Sequence, residues 1–454
     1  MTPPADIDDL SREELKALVL TLIERINALE ARLNEPPKNS GNSSVPPSNG
    51  FKANTGEDQR QNSKAEWMGP RKGSIGRKGG GRPLEREPDE TIIARAKRCA
   101  HCAAELSETD QRLHSRYDKI DIPSVKTIVT RVERYAGYCR CCQNVTLAPA
   151  PEGLEGGSPF SPNITALAFY LRFTHAISYK RLCQMFLHLF ALRISEGALD
   201  ALFQRAKPRF DDKVAAILAR LRRSRVIYSD ETSVRIDGQT CWDWVFQNKD
   251  VVIHVIRHSR GTQVVTDVLN GHRPALWVSD LYGAQQGHAD QWQVCLAHQL
   301  RNCQFAIEAG DAIFAPRMKV WLLRACVLAR RRGELAEATR QSYKRRLEGD
   351  LDKIMALAPD NQHGRRLRKR YGKIRDSLLT FLDHPEIAPD NNSSERELRH
   401  TAVYRKVTGG FRSTWGADLF AAVRSVIGTA KRRGIDAYQA VHDALRRQSV
   451  IAPG

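Results

Sequence analysis

The sequence predicts a multidomain α+β protein: an α/β core split by a helical insertion and preceded by three smaller N-terminal modules. Three observations predict it. Runs rich in β-branched and aromatic residues at 226–229, 240–247, 251–257, 275–279 and 293–297 read as strands, with a helical pattern at 262–270 between the third and fourth. The segment from 303 to 383 is helical in pattern and very basic. Two C-x-x-C pairs, Cys99/Cys102 and Cys139/Cys142, stand upstream of the strands with the spacing of metal-binding knuckles.

At 454 residues the chain is long enough for two to four domains of ~150 residues each. Its 71 Lys+Arg against 52 Asp+Glu leave a formal charge of +19, which points to a polyanionic partner, nucleic acid first. No run of ~18 apolar residues occurs, and the first residues are acidic rather than a basic leader. These features predict a cytosolic protein without membrane contact, whose ten cysteines are thiols and metal ligands rather than a disulfide framework.

In residues 1–36, Leu15, Leu22 and Leu29 repeat every seven positions, and Val19, Ile26 and Leu33 repeat beside them. Leu at d with mostly β-branched residues at a favours a parallel two-stranded coiled coil, hence a homodimer or larger; an amphipathic helix packed on its own chain has the same spacing. Residues 37–90 are too rich in Ser, Asn, Gly, Pro and charge to bury a core and read as a disordered basic linker. Residues 91–150 read as a zinc-ribbon-like domain with Cys99, Cys102, Cys139 and Cys142 as ligands, Cys141 competing for the last place. Residues 160–222 read as a helix-turn-helix-like domain with Ser195 capping a helix; such a unit reads DNA or packs on the core. The core follows at 223–310, the insertion at 311–385, and the rest of the core with C-terminal helices at 386–450. Within the insertion, Arg366, Arg368, Lys369 and Arg370 crowd one stretch and suit contact with a DNA backbone.

The chemistry is carried by acids. Asp230 and Asp280 end the first and fourth strands, and Glu395 falls about one turn into a helix opened by Asp390-Asn391-Asn392. Strand alternation turns Glu231 to the opposite face from Asp230, and Glu397 lies roughly 200° around the helix from Glu395. The order ββ(β)αβαβα with acids at these places is the ribonuclease-H-like layout. Three carboxylates suit magnesium or manganese, which want oxygen ligands and, as a pair, stabilise the attacking and leaving oxygens of a phosphoryl transfer. His298 and Arg301 share a helix face and are candidates for the scissile phosphate; Arg396 and Arg399 flank Glu395 as further DNA contacts. Cys295 and Trp242, Trp244 and Trp277 read as core packing.

These acid-bearing segments, with Cys295-Leu296-Ala297-His298-Gln299-Leu300-Arg301 and the run 416–434, resemble the insertion-sequence-66 family of DDE transposases. The order of coil, linker and paired cysteines extends the resemblance over nearly the whole chain; Asp390-Asn391-Asn392 followed by Glu395, Arg396 and Arg399 is its most specific part. The resemblance implies Asp230, Asp280 and Glu395 as catalytic acids, magnesium dependence, binding of element ends, and cleavage and joining of double-stranded DNA. It also implies companion proteins encoded by the same element. From other classes, the same features fit a non-catalytic zinc-containing DNA-binding protein, or a structure-selective nuclease that cuts without joining.

Overall fold

The computed structural model describes residues 11–33, 35–39, 41–43, 82–123, 125–151 and 154–446, so most of the predicted linker lies outside the described residues. The chain divides into two compact units, 52–128 in one and the remainder in the other. Among the described residues no helix is long and apolar enough to cross a membrane.

The heptad segment forms helix α1 (Arg12–Leu33). Leu15, Val19 and Leu22 on it are exposed, while the side chains of Ile26, Leu29 and Leu33 lie outside the described residues.

Each C-x-x-C pair folds as the same tight turn. In the smaller unit the Cys99 N–H donates to Ala104 O at 2.9 Å and the Ala103 N–H to Cys99 O at 2.9 Å, with Ala103 left-handed at φ 58°. In the larger unit the Cys139 N–H donates to Asn144 O at 2.8 Å and the Gln143 N–H to Cys139 O at 2.8 Å, with Gln143 at φ 59°. The second turn joins two short antiparallel strands, β1 (Ala136–Tyr138) and β2 (Val145–Leu147). Peptide N–H groups aimed at the first sulfur of each pair lower the Cys99 and Cys139 thiol pKa, as a thiolate ligand requires. Cys142 bonds the Cys139 sulfur, so it occupies the place that Cys102 holds beside Cys99.

Three helices follow: α2 (Pro162–His175), α3 (Tyr179–Phe190) and α4 (Glu196–Leu221). Ser195 caps α4 as predicted, its hydroxyl accepting the Ala198 N–H at 3.1 Å. Phe169, Phe173, Phe203 and Phe210 knit α2 to α4, with Phe169 and Phe203 edge to face at 4.7 Å. This aromatic core is continuous with the apolar face of the central sheet, so the helical unit packs on the core.

The sheet has order β5-β4-β3-β6-β7, built from β3 (Val226–Ile236), β4 (Gln239–Gln247), β5 (Val252–Arg257), β6 (Leu276–Ser279) and β7 (Gln291–Val294), with helix α5 (Thr262–Leu269) between β5 and β6. β3, β4 and β5 form an antiparallel meander, and β6 and β7 add in parallel beside β3. Three sequence expectations change, the first being the fifth strand, expected at 293–297, which is β7 at Gln291–Val294, with Leu296 and Ala297 already in the next helix. β3 runs on to Ile236, because its pairing with β4 continues through Ile236↔Gln239, so Asp230 sits within a strand and not at its end. The crossover from β6 to β7 carries a 3-10 turn at Gly283–Gln285 in place of the expected helix.

Alternation along β3 sorts the two faces. Ile227 and Trp277 lie in the core shared with α2–α4. Val226, Tyr228, Leu276, Val278 and Val294 face α6 (Leu296–Glu308) and the insertion, which comprises α7 (Phe314–Arg331), α8 (Glu337–Met355), α9 (Gln362–Ile374) and the single turn α10 (Thr380–Asp383). Phe314, Trp321, Tyr371 and Phe381 give the insertion an apolar centre of its own. The chain then returns as α11 (Asn392–Thr408), α12 (Thr414–Arg432) and α13 (Ala437–Leu445).

β5 is an edge strand whose outward peptide groups need partners. Helix α12 supplies them: Ser425 Oγ accepts the His254 N–H at 2.8 Å and Thr429 Oγ1 the Val252 N–H at 3.0 Å. The approach is close enough that a Cβ on Gly428 would meet Val252 Cβ at 3.3 Å. Gly428→Val is expected to wedge α12 off the edge and destabilise the protein by about 1–3 kcal/mol, read as a lower urea midpoint.

Candidate active site

The first pair of acids follows the parallel register. Val226, Ile227 and Tyr228 stand opposite Leu276, Trp277 and Val278; Asp230 and Asp280 each follow two residues beyond the last of these pairs, and the charge of Asp280 reaches Asp230. The next register, Ser279↔Val294, brings Cys295 level with Asp280, and α6 starts there. The ends of β6 and β7 thus come level with the middle of β3.

Glu395 arrives from α11, which the preceding segment ties down at four points. The Ala388 N–H donates to Tyr228 Oη at 2.8 Å, and the Leu296 N–H donates to Pro389 O at 2.9 Å. Asn391, fully buried, donates through Nδ2 to Ser229 O at 2.8 Å and through its N–H to Cys295 Sγ at 3.2 Å. Cys295 is therefore more than core packing: burial pushes its thiol up to about 12, so it stays a neutral sulfur that accepts the Asn391 N–H. Replacing Asn391 with Ala is expected to lower activity by about 10- to 100-fold at unchanged DNA binding, the size of loss that follows when the partner orienting a site residue is removed. Steady-state assays on folded variant protein check this.

The electrostatics are those of crowded like charges. Asp230 is raised well above the usual carboxylate value, first by burial, then by Asp280 and Glu231, with Glu395 adding to it; the Glu231 N–H, 2.9 Å from Asp230 Oδ1, opposes the rise. Glu395 Oε1 is buried without a hydrogen bond, 3.5 Å from His298 Nε2 and 3.6 Å from Arg301 Nη1. His298 and Arg301 thus share one helix face, as predicted, and both meet Glu395. Burial lowers the His298 pKa, Arg301 adds to this and Glu395 and Asp280 oppose it, so the neutral imidazole is favoured. Hard oxygen donors that repel one another, one of them lacking a hydrogen bond, are the donor set that a divalent cation satisfies. Among the described residues no group of three His, Cys, Asp or Glu side chains is drawn together tightly enough to form a cage.

The competing acids turn elsewhere. Glu231, on the other sheet face, accepts Arg260 Nη2 at 2.7 Å and Gln285 Nε2 at 2.7 Å. Arg260 stacks between the rings of Trp242 and Tyr282, 4.3 and 3.9 Å from their centroids, and the Tyr282 N–H donates to Asp280 Oδ1 at 2.8 Å. Trp242, partly buried, packs against the core as well as on Arg260, while Trp244 and Trp277 are fully buried. Glu397 turns away from Glu395 into a buried cluster with Arg432, Arg424 and His254.

The other predicted contacts make no ion pair with the three acids among the described residues. Arg396 and Arg399 are exposed on α11. Arg366, Arg368 and Lys369 are exposed on α9 and Arg370 is half-buried there; Arg368 Nε is committed to Met355 O at 2.9 Å. Sequence pattern alone does not mark Asn391, Tyr282 or Arg260 as functional. Asn391 does lie in the Asp390-Asn391-Asn392 run that carries the family resemblance, and that is the signal by which it could be found.

Residues 157–419, more than half of the chain, match the family described as Transposase IS66 family. The chain belongs to the IS66 transposase family. The matched span takes in both aspartates, the whole insertion and Glu395. This IS66-family chain is also similar to an uncharacterized protein, y4jD, of Sinorhizobium fredii (strain NBRC 101917 / NGR234), at 24% identity over 398 residues, which is 79% of this chain and 76% of that one. A second protein of that organism, y4jO, also uncharacterized, is 29% identical over 96 residues, covering 21% of this chain and 26% of its own length.

Proposed function

We propose that this IS66-family protein cuts the ends of a mobile DNA element and joins them to target DNA, using a ribonuclease-H-like core in which Asp230, Asp280 and Glu395 hold divalent magnesium or manganese. The observation that carries the reading is the β3–β6 pairing, beyond which Asp230 and Asp280 follow at equal spacing, with the charges of Asp280 and Glu395 both raising Asp230. When bound, the cation would activate a water or a DNA 3′-hydroxyl and stabilise the leaving oxygen. Asn391, bonded to Ser229 O and Cys295 Sγ, would hold the start of α11 and with it Glu395 beside His298 and Arg301. Tyr282 orients Asp280 through its backbone N–H. Neutral His298 and cationic Arg301 border Glu395, where they bind and orient a phosphodiester, Arg301 by charge and His298 by hydrogen bond. Arg366, Arg368, Lys369, Arg370, Arg396 and Arg399 add backbone contacts that carry affinity rather than sequence selection.

Zinc belongs to the N-terminal modules in this reading, bound by Cys99, Cys102, Cys139 and Cys142. The matched turns and the lowered Cys99 and Cys139 thiols support it. Metal analysis is expected to find about one zinc per chain, lost in Cys102→Ser and in Cys142→Ser and kept in Cys141→Ser; loss on the Cys141 change instead would move the fourth ligand. Exposed Leu15, Val19 and Leu22 support pairing of α1 with a second copy. Companion proteins of the same element remain part of the reading by family alone.

The test is incubation of purified protein with labelled element ends, magnesium and target DNA. Joined product supports transposition. Cleavage without joining would replace it with a nuclease, and binding alone with a scaffold.

A further inference from the structure

Beside the first turn of α11 lies a cleft of about 880 Å³ lined by Arg220, Arg223, Arg225, Lys249, Arg396 and Arg432. Its cations come from three separate places: the end of α4, the β4–β5 turn, and α11 with α12. Three carboxylates also line it, and two of them are engaged: Asp250 lies 3.8 Å from Arg220 and Glu386 3.4 Å from Arg225. Arg432 is held inward by Glu397 at 3.0 Å and by Gln247. That leaves Arg223, Lys249 and Arg396, all exposed, with no carboxylate partner among the described residues; Arg223 spends one of its five N–H donors on Ala219 O at 3.3 Å. Convergent unpaired cations in a concavity focus positive potential more strongly than the same charges on a convex face.

The cleft also lies close to the acids. Tyr228 forms part of its wall, and Asp230 is the next residue on the same face of β3, about 7 Å further along. Ser393 and Arg396 line it one helical position or two from Glu395. The volume is in the ~300–1,000 Å³ range of pockets that enclose a ligand. It is polar and cationic at its rim, with an aromatic ring in its wall.

We infer that this cleft binds the sugar–phosphate backbone of a DNA strand next to the scissile phosphate, with Arg223, Lys249 and Arg396 contacting successive phosphates. The inference rests on the DNA-processing reading above, and the test separates the two. Binding of a labelled element end is followed by fluorescence anisotropy over a range of KCl concentrations, without divalent metal, in Asp230→Asn protein, so that no cleavage is needed. In that background Arg223→Ser/Lys249→Ser is expected to flatten the dependence of log K on log salt by about 1.8, roughly 0.9 for each duplex phosphate that the protein no longer neutralises. Both substitutions are at exposed positions on turns, and an unchanged thermal midpoint verifies the fold. A folded double variant with the parent's slope would overturn the cleft assignment and leave the DNA reading standing. A parent that binds no element DNA would overturn both.

Discussion

Asp230→Asn is expected to lower magnesium-dependent cleavage and joining by at least about 10³-fold, the equivalent of the several kcal/mol that a bound cation contributes to a phosphoryl-transfer transition state. The substitution is nearly isosteric. Asn keeps an oxygen to accept the Glu231 N–H that Asp230 accepts at 2.9 Å, so the strand is undisturbed. It removes a charge that Asp280, Glu231 and Glu395 all disfavour, so thermal stability should hold or rise. Element-end binding should be essentially unchanged, because the cationic contacts proposed for DNA lie on other residues. Activity equal to wild type in a folded variant would reject the assignment of Asp230.

The largest stability effect is expected at Glu397. Its side chain is 15% exposed and meets Arg432 at 3.0 Å and Arg424 at 3.5 Å, and Arg424 is wholly buried. Nε and Nη1 of Arg424 already lack partners among the described residues. Glu397→Ala would take away the carboxylate in contact with that buried guanidinium and leave Asp243 as the counter-charge acting on it, at a cost of about 3–5 kcal/mol, seen as a fall in urea midpoint. Burial alone would raise the Glu397 carboxyl, but His254, Arg424 and Arg432 outweigh it and hold it far below the usual range. Its contribution is therefore complete above the unfolded carboxylate value of about 4.3 and is lost only as pH falls through the depressed folded value. Burial lowers His254, but Asp243 and Glu397 outweigh it and raise the net value. Its contribution is complete below about 6.5 and fades as pH rises through the folded value. The cluster should thus stabilise most between these limits, and the gap between wild type and His254→Gln should narrow as pH rises above them.

Much of the core was legible in the sequence because its signals are local. The alternating runs placed β4, β5 and α5 within a residue or two, and Ser195 gave the start of α4 through its cap. The spacing of His298 and Arg301 put both on the face that meets Glu395. Pairing was less so. The extension of β3 through Asp230 rests on its hydrogen bonds to β4; the alternation of Val234 and Ile236 ahead of Asp237-Gly238 is a local hairpin signal that the sequence reading did not use. The roles of Cys295 and Asn391 arise where segments 96 residues apart meet, and the Arg260 stack joins a loop after β5 to one after β6. Such contacts follow from topology, whereas periodicity reports only which side of its own element a residue faces.

The central claim is that Asp230, Asp280 and Glu395 serve one divalent cation site, and an exchange of ligand softness tests it most directly. Asp280→Cys replaces a hard oxygen donor with a sulfur that binds magnesium poorly and softer metals better. Joining by the variant is predicted to be lost in magnesium and restored in manganese, with DNA binding equal in both. Full activity in magnesium, or none in either metal from folded protein that still binds element ends, would contradict the claim.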